Sequence, residues 1–290
     1  MYRNPIQKRI LTAQDFSCFG KCSGTVALPI LSAMGHEAVL LPTAVLSTHT
    51  GGFTGYTVRD LTDDIAPISE HFQREGILFD CIYTGYLCKG RQVSLVRELV
   101  KAHKGSECLF VADPAMADGG RYYYGFDEAH ARDMLTLCQA ADVITPNVTE
   151  AAFLLGKTYP EGGVYSLDYA NDLIEGLRAR GCRSVILTSV CADGGYGLLG
   201  FDHRAKRRFS YFHERVGCSV HGSGDTFTSV LVGRLVSGDS LEGAARFAAD
   251  FVRAAVEFTE PHLKAHPYGL LFESQLKRLI AAEAEQDTKF

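Results

Sequence analysis

The chain alternates two kinds of segment. Short, mostly apolar runs at residues 9–14, 39–45, 79–85, 108–113, 142–145 and 184–189 are separated by stretches with helical spacing at 25–34, 61–74, 92–103, 127–138, 151–155 and 167–180. A strand that is apolar along its whole length has no face left for water. Such strands alternating with helices imply a parallel sheet covered on both sides. Ligands of sheets of this kind bind beyond the carboxyl ends of the strands. That rule draws attention to Asp15, Tyr86 and Asp113, each read as closing a strand.

The remainder is punctuated by local signals. Gly35 and Gly181 stop helices, and Pro29 predicts a kink or a late start for the helix that holds it. Residues 196–201 and 207–212 read as a hairpin, with the basic cluster Arg204, Lys206, Arg207 and Arg208 on its solvated edge. Helices follow at about 224–236, 241–258 and 272–284. With no linker, composition break or repeat, residues 1–290 read as one domain with flexible tails at 1–8 and 286–290.

Composition narrows the function classes. With 46% hydrophobic and 22% charged residues the chain has a sizeable core, and a net charge of −5 with scattered Lys and Arg lacks a footprint for nucleic acid. No apolar run approaches membrane-spanning length, and no signal peptide opens the sequence. Nine cysteines without a repeated C-x-x-C fit a reducing, cytoplasmic setting, with Cys218 as inert packing.

The stretch with most chemistry is His221-Gly222-Ser223-Gly224-Asp225, which opens an apolar helix. Flexible glycines let successive N–H groups point one way, and the first turn of a helix offers unpaired donors to an anion. Asp225 would then cap the helix or, in phosphoryl transfer, take the proton of an attacking hydroxyl. Taken alone, the cap reading leads. Asn147 and Glu150, three apart at a strand-to-helix turn, are either a local turn pair or oxygen groups suited to a hydrated Mg²⁺. Thr188 and Ser189 put two hydroxyls at the expected end of a strand. The loop from Ser47 to Tyr56 has the makings of a cover for a flat ligand or of a plain surface loop, and the tyrosines 122–124 either cover a nucleotide or pack their own loop. His49 reads as a structural hydrogen bonder, His221 as a ligand contact or a bystander.

Assembled in order, these residues resemble the ribokinase-like superfamily and, within it, the pyridoxal/pyridoxamine kinases. The matching stretches are Phe19-Gly20 to Ser23, Ser47 to Gly51, Tyr83 to Leu87, Asp113 to Asp118, Thr145 to Glu150, Thr188-Ser189 and Gly222 to Asp225. The resemblance implies a three-layer α/β sandwich and ATP-dependent phosphorylation of the 5′-hydroxymethyl group of pyridoxal, pyridoxamine or pyridoxine. It implies Asp225 as the base and Gly222, Ser223 and Gly224 as the anion hole. Asp113, Asp118, Asn147, Glu150, Thr188 and Ser189 would serve the ATP phosphates, with Asp113 and Glu150 organising Mg²⁺, directly or through water, and a monovalent cation as a further candidate. Asp15, Thr50, Tyr86 and His221 would face the vitamin ring, and a homodimer is implied. Relatives of this kind commonly carry Ser where Asp15 stands, so a carboxylate there points towards an aminomethyl substrate. The competing readings are a hydroxymethylpyrimidine kinase, or a protein that binds a vitamer without chemistry.

Overall fold

The computed structural model describes residues 6–192, 195–217 and 220–287, so Cys218 and most of the expected tails lie outside it. In chain order come β1 (Arg9–Phe19), α1 (Gly24–Ala33), β2 (Glu37–Thr48), β3 (Val58–Asp60), α2 (Thr62–Arg74), β4 (Cys81–Thr84), α3 (Gly90–His103) and β5 (Leu109–Ala112). Then follow β6 (Ala117–Asp118), β7 (Arg121–Tyr122), α4 (Glu128–Ala140), β8 (Val143–Ile144), α5 (Val148–Leu154), α6 (Leu167–Ala179) and β9 (Ser184–Ala192). The last elements are β10 (Gly195–Asp202), β11 (Arg207–Glu214), α7 (Ser223–Val236), α8 (Leu241–Thr259) and α9 (Leu276–Asp287). The class is the expected one: α/β, with mainly parallel strands and helices packed on them.

The elements gather into two compact units, and the chain passes between them at 83/84, 101/102, 109/110 and 215/216 rather than at one linker. In the first unit β1 lies between β4 and its parallel neighbour β2, and β3 pairs antiparallel with β2. Ile10, Leu11 and Ala13 are fully buried, as their apolar run requires. β1 is longer than its apolar run, however. Ser17 and Phe19 continue the pairing, so Asp15 lies within the strand and not at its end. Opposite it the register slips, Gln14 pairing with Pro42 and Phe16 with Val45, so two residues of β2 face one of β1. Such a bulge re-aims the side chains beside it.

Helix α1 starts at Gly24, one residue before the expected start, and carries Pro29 in its interior; a late start is therefore ruled out. Helix α7 is buried continuously from Thr226 to Arg234, which accounts for its apolar residues on every side. Gly233 leaves α7 without a side chain where Met34 packs, and His36 Nε2 meets the Gly233 carbonyl at 3.1 Å. These contacts fix the helix whose first turn carries Asp225.

In the second unit β5, β8 and β9 are parallel, and β10 and β11 extend the sheet antiparallel with β11 outermost. The hairpin and its basic edge are as expected. Asp202 Oδ1 accepts from the backbone N–H groups of Arg204 and Ala205 to form the turn, and Arg208 is tied to Glu175 and Asn171 of α6. A second hairpin, β6–β7, was not visible as periodicity because each strand has two residues. Its turn is Gly119-Gly120, with φ 55° and 78°, the pair of left-handed conformations that a two-residue hairpin demands.

Candidate active site

The first unit brings Asp15, the 20–24 loop, the loop after β2 and the start of α7 together. Gly222 has φ 82°, and a Cβ there would run into the Lys21 carbonyl, so only glycine admits this approach. Thr226 closes the turn, its N–H and Oγ1 both donating to the Gly222 carbonyl, at 2.9 and 2.7 Å. No side chain caps this helix; Ser223 N–H donates to the Val220 carbonyl at 3.4 Å, and the N–H groups of Gly224 and Asp225 lie in an uncapped first turn. A Cβ on Gly224 would meet nothing within 4 Å, so the space in front of the turn is free. Asp225 stands in that first turn. Its carboxyl is pushed up to about 6, chiefly by burial and further by the charge of Asp15, against the lowering effect of a hydrogen bond from the Ser23 backbone N–H. The helix-cap reading of Asp225 therefore fails locally: the capping position belongs to Gly222.

Asp15 is 3% exposed and accepts from Ser17 Oγ at 2.9 Å on Oδ2, with the Ser23 hydroxyl near it. Burial raises its pKa and the two serines lower it. Cys22 lies close enough to feel both carboxylates, and burial with those charges pushes its thiol well up, which keeps it neutral. The wall beside this acidic pair is aromatic. His49 lies 5.4 Å from His221 and 5.0 Å from Phe53, and Tyr268 lies tilted 4.7 Å from Phe19. The backbone fixes His49: its Nε2 is 2.7 Å from the Tyr268 carbonyl and its Nδ1 accepts from Gly51 N–H at 3.1 Å. Burial lowers its pKa, so the ring is a neutral structural element. Thr50 follows it in a half-buried position. A Cβ on Gly51 would come within 2.6 Å of His221 Cε1, so the glycine lets that ring lie flat on the loop. Cys22 and Ser23 lie in the glycine-bearing loop after Phe19 and Phe53 in the Ser47–Tyr56 loop, segments that the sequence marked without singling out these residues; Tyr268 carried no signal.

The second unit assembles the other sequence candidates. Asn147 caps α5 and Glu150 returns the bond, so the local reading of this pair holds in full: Asn147 Oδ1 accepts from Glu150 N–H and Glu150 Oε2 from Asn147 N–H, both at 2.9 Å. The pair does more than cap. Glu150 Oε1 also accepts from Met116 at 3.0 Å, and Asn147 Nδ2 donates to the Ala117 carbonyl at 2.8 Å, which ties the segment after Asp113 to α5. Glu150 is buried, and burial with the nearby charge of Asp113 raises its pKa well above the ordinary value. Two adjacent buried carboxylates suit a cation. Both Glu150 oxygens are taken by backbone N–H groups, however, so Glu150 fits a hydrated ion reached through water and does not fit direct ligation. Among the described residues no group of three or more His, Cys, Asp or Glu could hold a metal alone.

Asp118 is exposed at the β6–β7 turn, where its Oδ1 accepts from Gly119 N–H at 2.8 Å, and Gly120 N–H donates to Thr149 Oγ1 at 3.1 Å. Thr188 is bridged to Asn147 and donates its N–H to the Pro146 carbonyl at 2.9 Å. Thr188 and Ser189 lie inside β9, which runs on to Ala192, and so do not end a strand; Ser189 breaks the regular backbone there with φ 57°. Tyr196 Oη donates to Ser189 Oγ at 2.9 Å, and Tyr165 Oη to the Ser189 carbonyl at 3.2 Å. Those two tyrosines escaped the sequence reading because they come from separate segments. Tyr86 packs tilted against Phe126, 5.2 Å away, which in turn lies 3.9 Å from His130 and parallel to it. Of the three tyrosines 122–124, Tyr122 packs on Phe153 and Tyr124 is exposed.

The fold is that of the ribokinase-like phosphotransferases, and the uncapped start of α7 carries a raised carboxyl in its first turn. The model of the phosphomethylpyrimidine kinase family matches residues 28–269, and the chain belongs to that family. A Bordetella avium pyridoxine/pyridoxal/pyridoxamine kinase is 27% identical over 280 residues, covering 88% of this chain and 86% of its own. The pyridoxal kinase of Lactobacillus plantarum superposes with a TM-score of 0.87 at 29% identity, over 96% of this chain and 98% of its own. A Bacteroides thetaiotaomicron protein, provisionally named a phosphomethylpyrimidine kinase and crystallised with pyridoxal, superposes with a TM-score of 0.85 at 35% identity, over 94% and 96%.

Proposed function

We infer that the protein transfers the γ-phosphoryl group of ATP to the 5′-hydroxymethyl group of a B6 vitamer, giving the 5′-phosphate and ADP. The observation that carries this reading is Asp225, a carboxyl raised to about 6 in the first turn of an uncapped helix. Near neutral pH it is ionised yet basic enough to accept the hydroxyl proton as the oxygen attacks. Gly222, Ser223 and Gly224 form the anion hole of this reading and stabilise the charge on the transferring group, which in phosphoryl transfer supplies most of the catalysis. The aromatic wall of His49, Phe53 and His221 suits a flat heteroaromatic ring, with Thr50 and Tyr86 as further ring contacts.

In the second unit, Asp113, Asp118, Asn147, Glu150, Thr188 and Ser189 serve the nucleotide phosphates. Asp113, and Glu150 through water, would hold Mg²⁺, which would supply neutralisation of phosphate charge, and a monovalent cation is a further candidate there. Residues 1–290 act as a single functional domain, as a homodimer, in the cytoplasm. Among the described residues no helix is long and apolar enough to cross a membrane, and the described cysteines are free.

The match to the phosphomethylpyrimidine kinase model keeps hydroxymethylpyrimidine as a second acceptor. ADP release measured with pyridoxamine, pyridoxal, pyridoxine and hydroxymethylpyrimidine, each with ATP and Mg²⁺, tests the assignment. Turnover highest with a B6 vitamer is expected; turnover with hydroxymethylpyrimidine alone would replace the substrate, and binding of a vitamer without turnover would leave a sensor.

A further inference from the structure

Strand β9 runs on past its parallel neighbour. β8 pairs with it only at Val143 with Ser184 and Ile144 with Val185, Asn147 adds a single bridge to Thr188, and the chain then turns into α5. On the opposite edge the register with β10 slips: Val190 faces Gly197 and Leu187 faces Leu199, so Thr188 and Ser189 together oppose Leu198. This is a β-bulge, and Ser189 within it has φ 57°, a left-handed backbone that a residue with a Cβ rarely adopts. The parallel part of the sheet ends at this point, where ligands of such sheets bind.

A side chain takes the place of the neighbour that β9 has lost. Tyr165 Oη donates to the Ser189 carbonyl at 3.2 Å and accepts from the Cys191 N–H at 3.0 Å. A carbonyl and the N–H two residues further on are the pair that one residue of a parallel strand would bond, so the phenol oxygen stands in for a peptide group. The ring lies 6.4 Å from Tyr159 and 5.8 Å from Tyr169, and burial pushes its pKa up to about 12, which keeps it a neutral donor. From β10, Tyr196 Oη donates to Ser189 Oγ at 2.9 Å. Ser189 Oγ is thus already an acceptor, and among the described residues no bond uses its own proton. Glycine would take this backbone without strain but would bring no hydroxyl. A strained serine held from two sides is a hydroxyl kept for a ligand.

Resting on the kinase reading, in which Thr188 and Ser189 serve the nucleotide phosphates, we propose that Tyr165 and Tyr196 are positioning residues of the nucleotide site. Tyr165 fixes the left-handed backbone of Ser189, and Tyr196 occupies the oxygen of Ser189 so that the hydroxyl proton is presented to a phosphate oxygen. A donor aimed in advance needs no reorganisation when the anion arrives. Neither tyrosine has to touch the nucleotide, since each acts through Ser189.

The test makes Tyr165→Phe and Tyr196→Phe, each in the wild-type chain and in Ser189→Gly, and measures initial rates with ATP and acceptor varied separately. Each Phe variant is expected to raise the KM for ATP at least about 5-fold, as the loss of one hydrogen bond would, with the acceptor KM unchanged. In Ser189→Gly, where the backbone needs no holding and there is no hydroxyl to aim, neither substitution should raise the KM for ATP further. Increases that persist in the glycine background, an equal rise in the acceptor KM, or an unchanged KM for ATP would overturn the proposal. Tyr196→Phe breaks a single side-chain bond, so it decides the matter should Tyr165→Phe fold poorly. If the wild type turns over no acceptor, the kinase reading fails by itself, and calorimetric titration of the same variants with ATP and Mg²⁺ decides the role of the tyrosines. Affinity lost in each Phe variant, and not lost further in the glycine background, supports it; equal affinities, or no binding by the wild type, refute it.

Discussion

Replacing Asp225 by Asn is expected to stabilise the fold while disabling it. The carboxyl titrates at about 6 against an ordinary value of 3.8. A raised acid binds its proton more tightly when folded, so the contribution is favourable at low pH and is lost as pH rises through 6. Above that point the ionised group works against the fold. The difference of roughly two units corresponds to about 3 kcal/mol at about 1.4 kcal/mol per unit. Asp225 keeps some access to solvent, which screens the charge and brings the expected effect to about 1–2 kcal/mol. Asn retains an oxygen to accept from Ser23 N–H and removes the charge facing Asp15. Urea unfolding of both proteins at pH about 8 and pH about 4 reads the effect, since neutral carboxyls at the lower pH should shrink the gain below about 1 kcal/mol. A variant no more stable than wild type at the higher pH, or one whose difference ignores pH, would refute the account of a desolvated, like-charged base.

The same carboxyl sets the pH profile: kcat/KM for the acceptor should fall tenfold per unit below about pH 6 as Asp225 gains its proton, and a profile flat to pH about 4.5 would contradict this. Gly222→Ala should cost about 2–4 kcal/mol in urea unfolding, from its left-handed backbone and the clash with the Lys21 carbonyl. Gly224→Ala, whose added methyl meets nothing, should leave the melting temperature within a few degrees and lower kcat by crowding the phosphoryl position; unchanged kcat would remove the anion hole from the account. Tyr196→Phe frees Ser189 Oγ and should raise the KM for ATP several-fold with the acceptor KM unchanged, in initial-rate kinetics varying each substrate.

What could be read from the chain follows from which signals are local. Apolar strand runs, glycine stops, the G-S-G-D turn and the Asn147–Glu150 box are written in consecutive residues, and the structure places each of them in the expected kind of element. Ends of strands are set by pairing partners: β1 and β9 run on through polar residues because β2 and β10 continue beside them, which moved Asp15 and Ser189 from strand ends to strand interiors. The β6–β7 hairpin is too short to show a period, and the tyrosines on Ser189 come from residues 24 positions before and 7 after it. Asp15, whose charge acts on Asp225, lies about two hundred positions before it, and no spacing rule reaches that far.

The central claim is that Asp225 deprotonates a vitamer hydroxyl for attack on ATP. The direct measurement is phosphorus NMR of the product formed from ATP, Mg²⁺ and pyridoxamine by wild type and by Asp225→Asn. The account expects a 5′-phosphate monoester from the wild type and a rate at least about 100-fold lower in the variant. No ester from the wild type, or an undiminished rate in the variant, would contradict it.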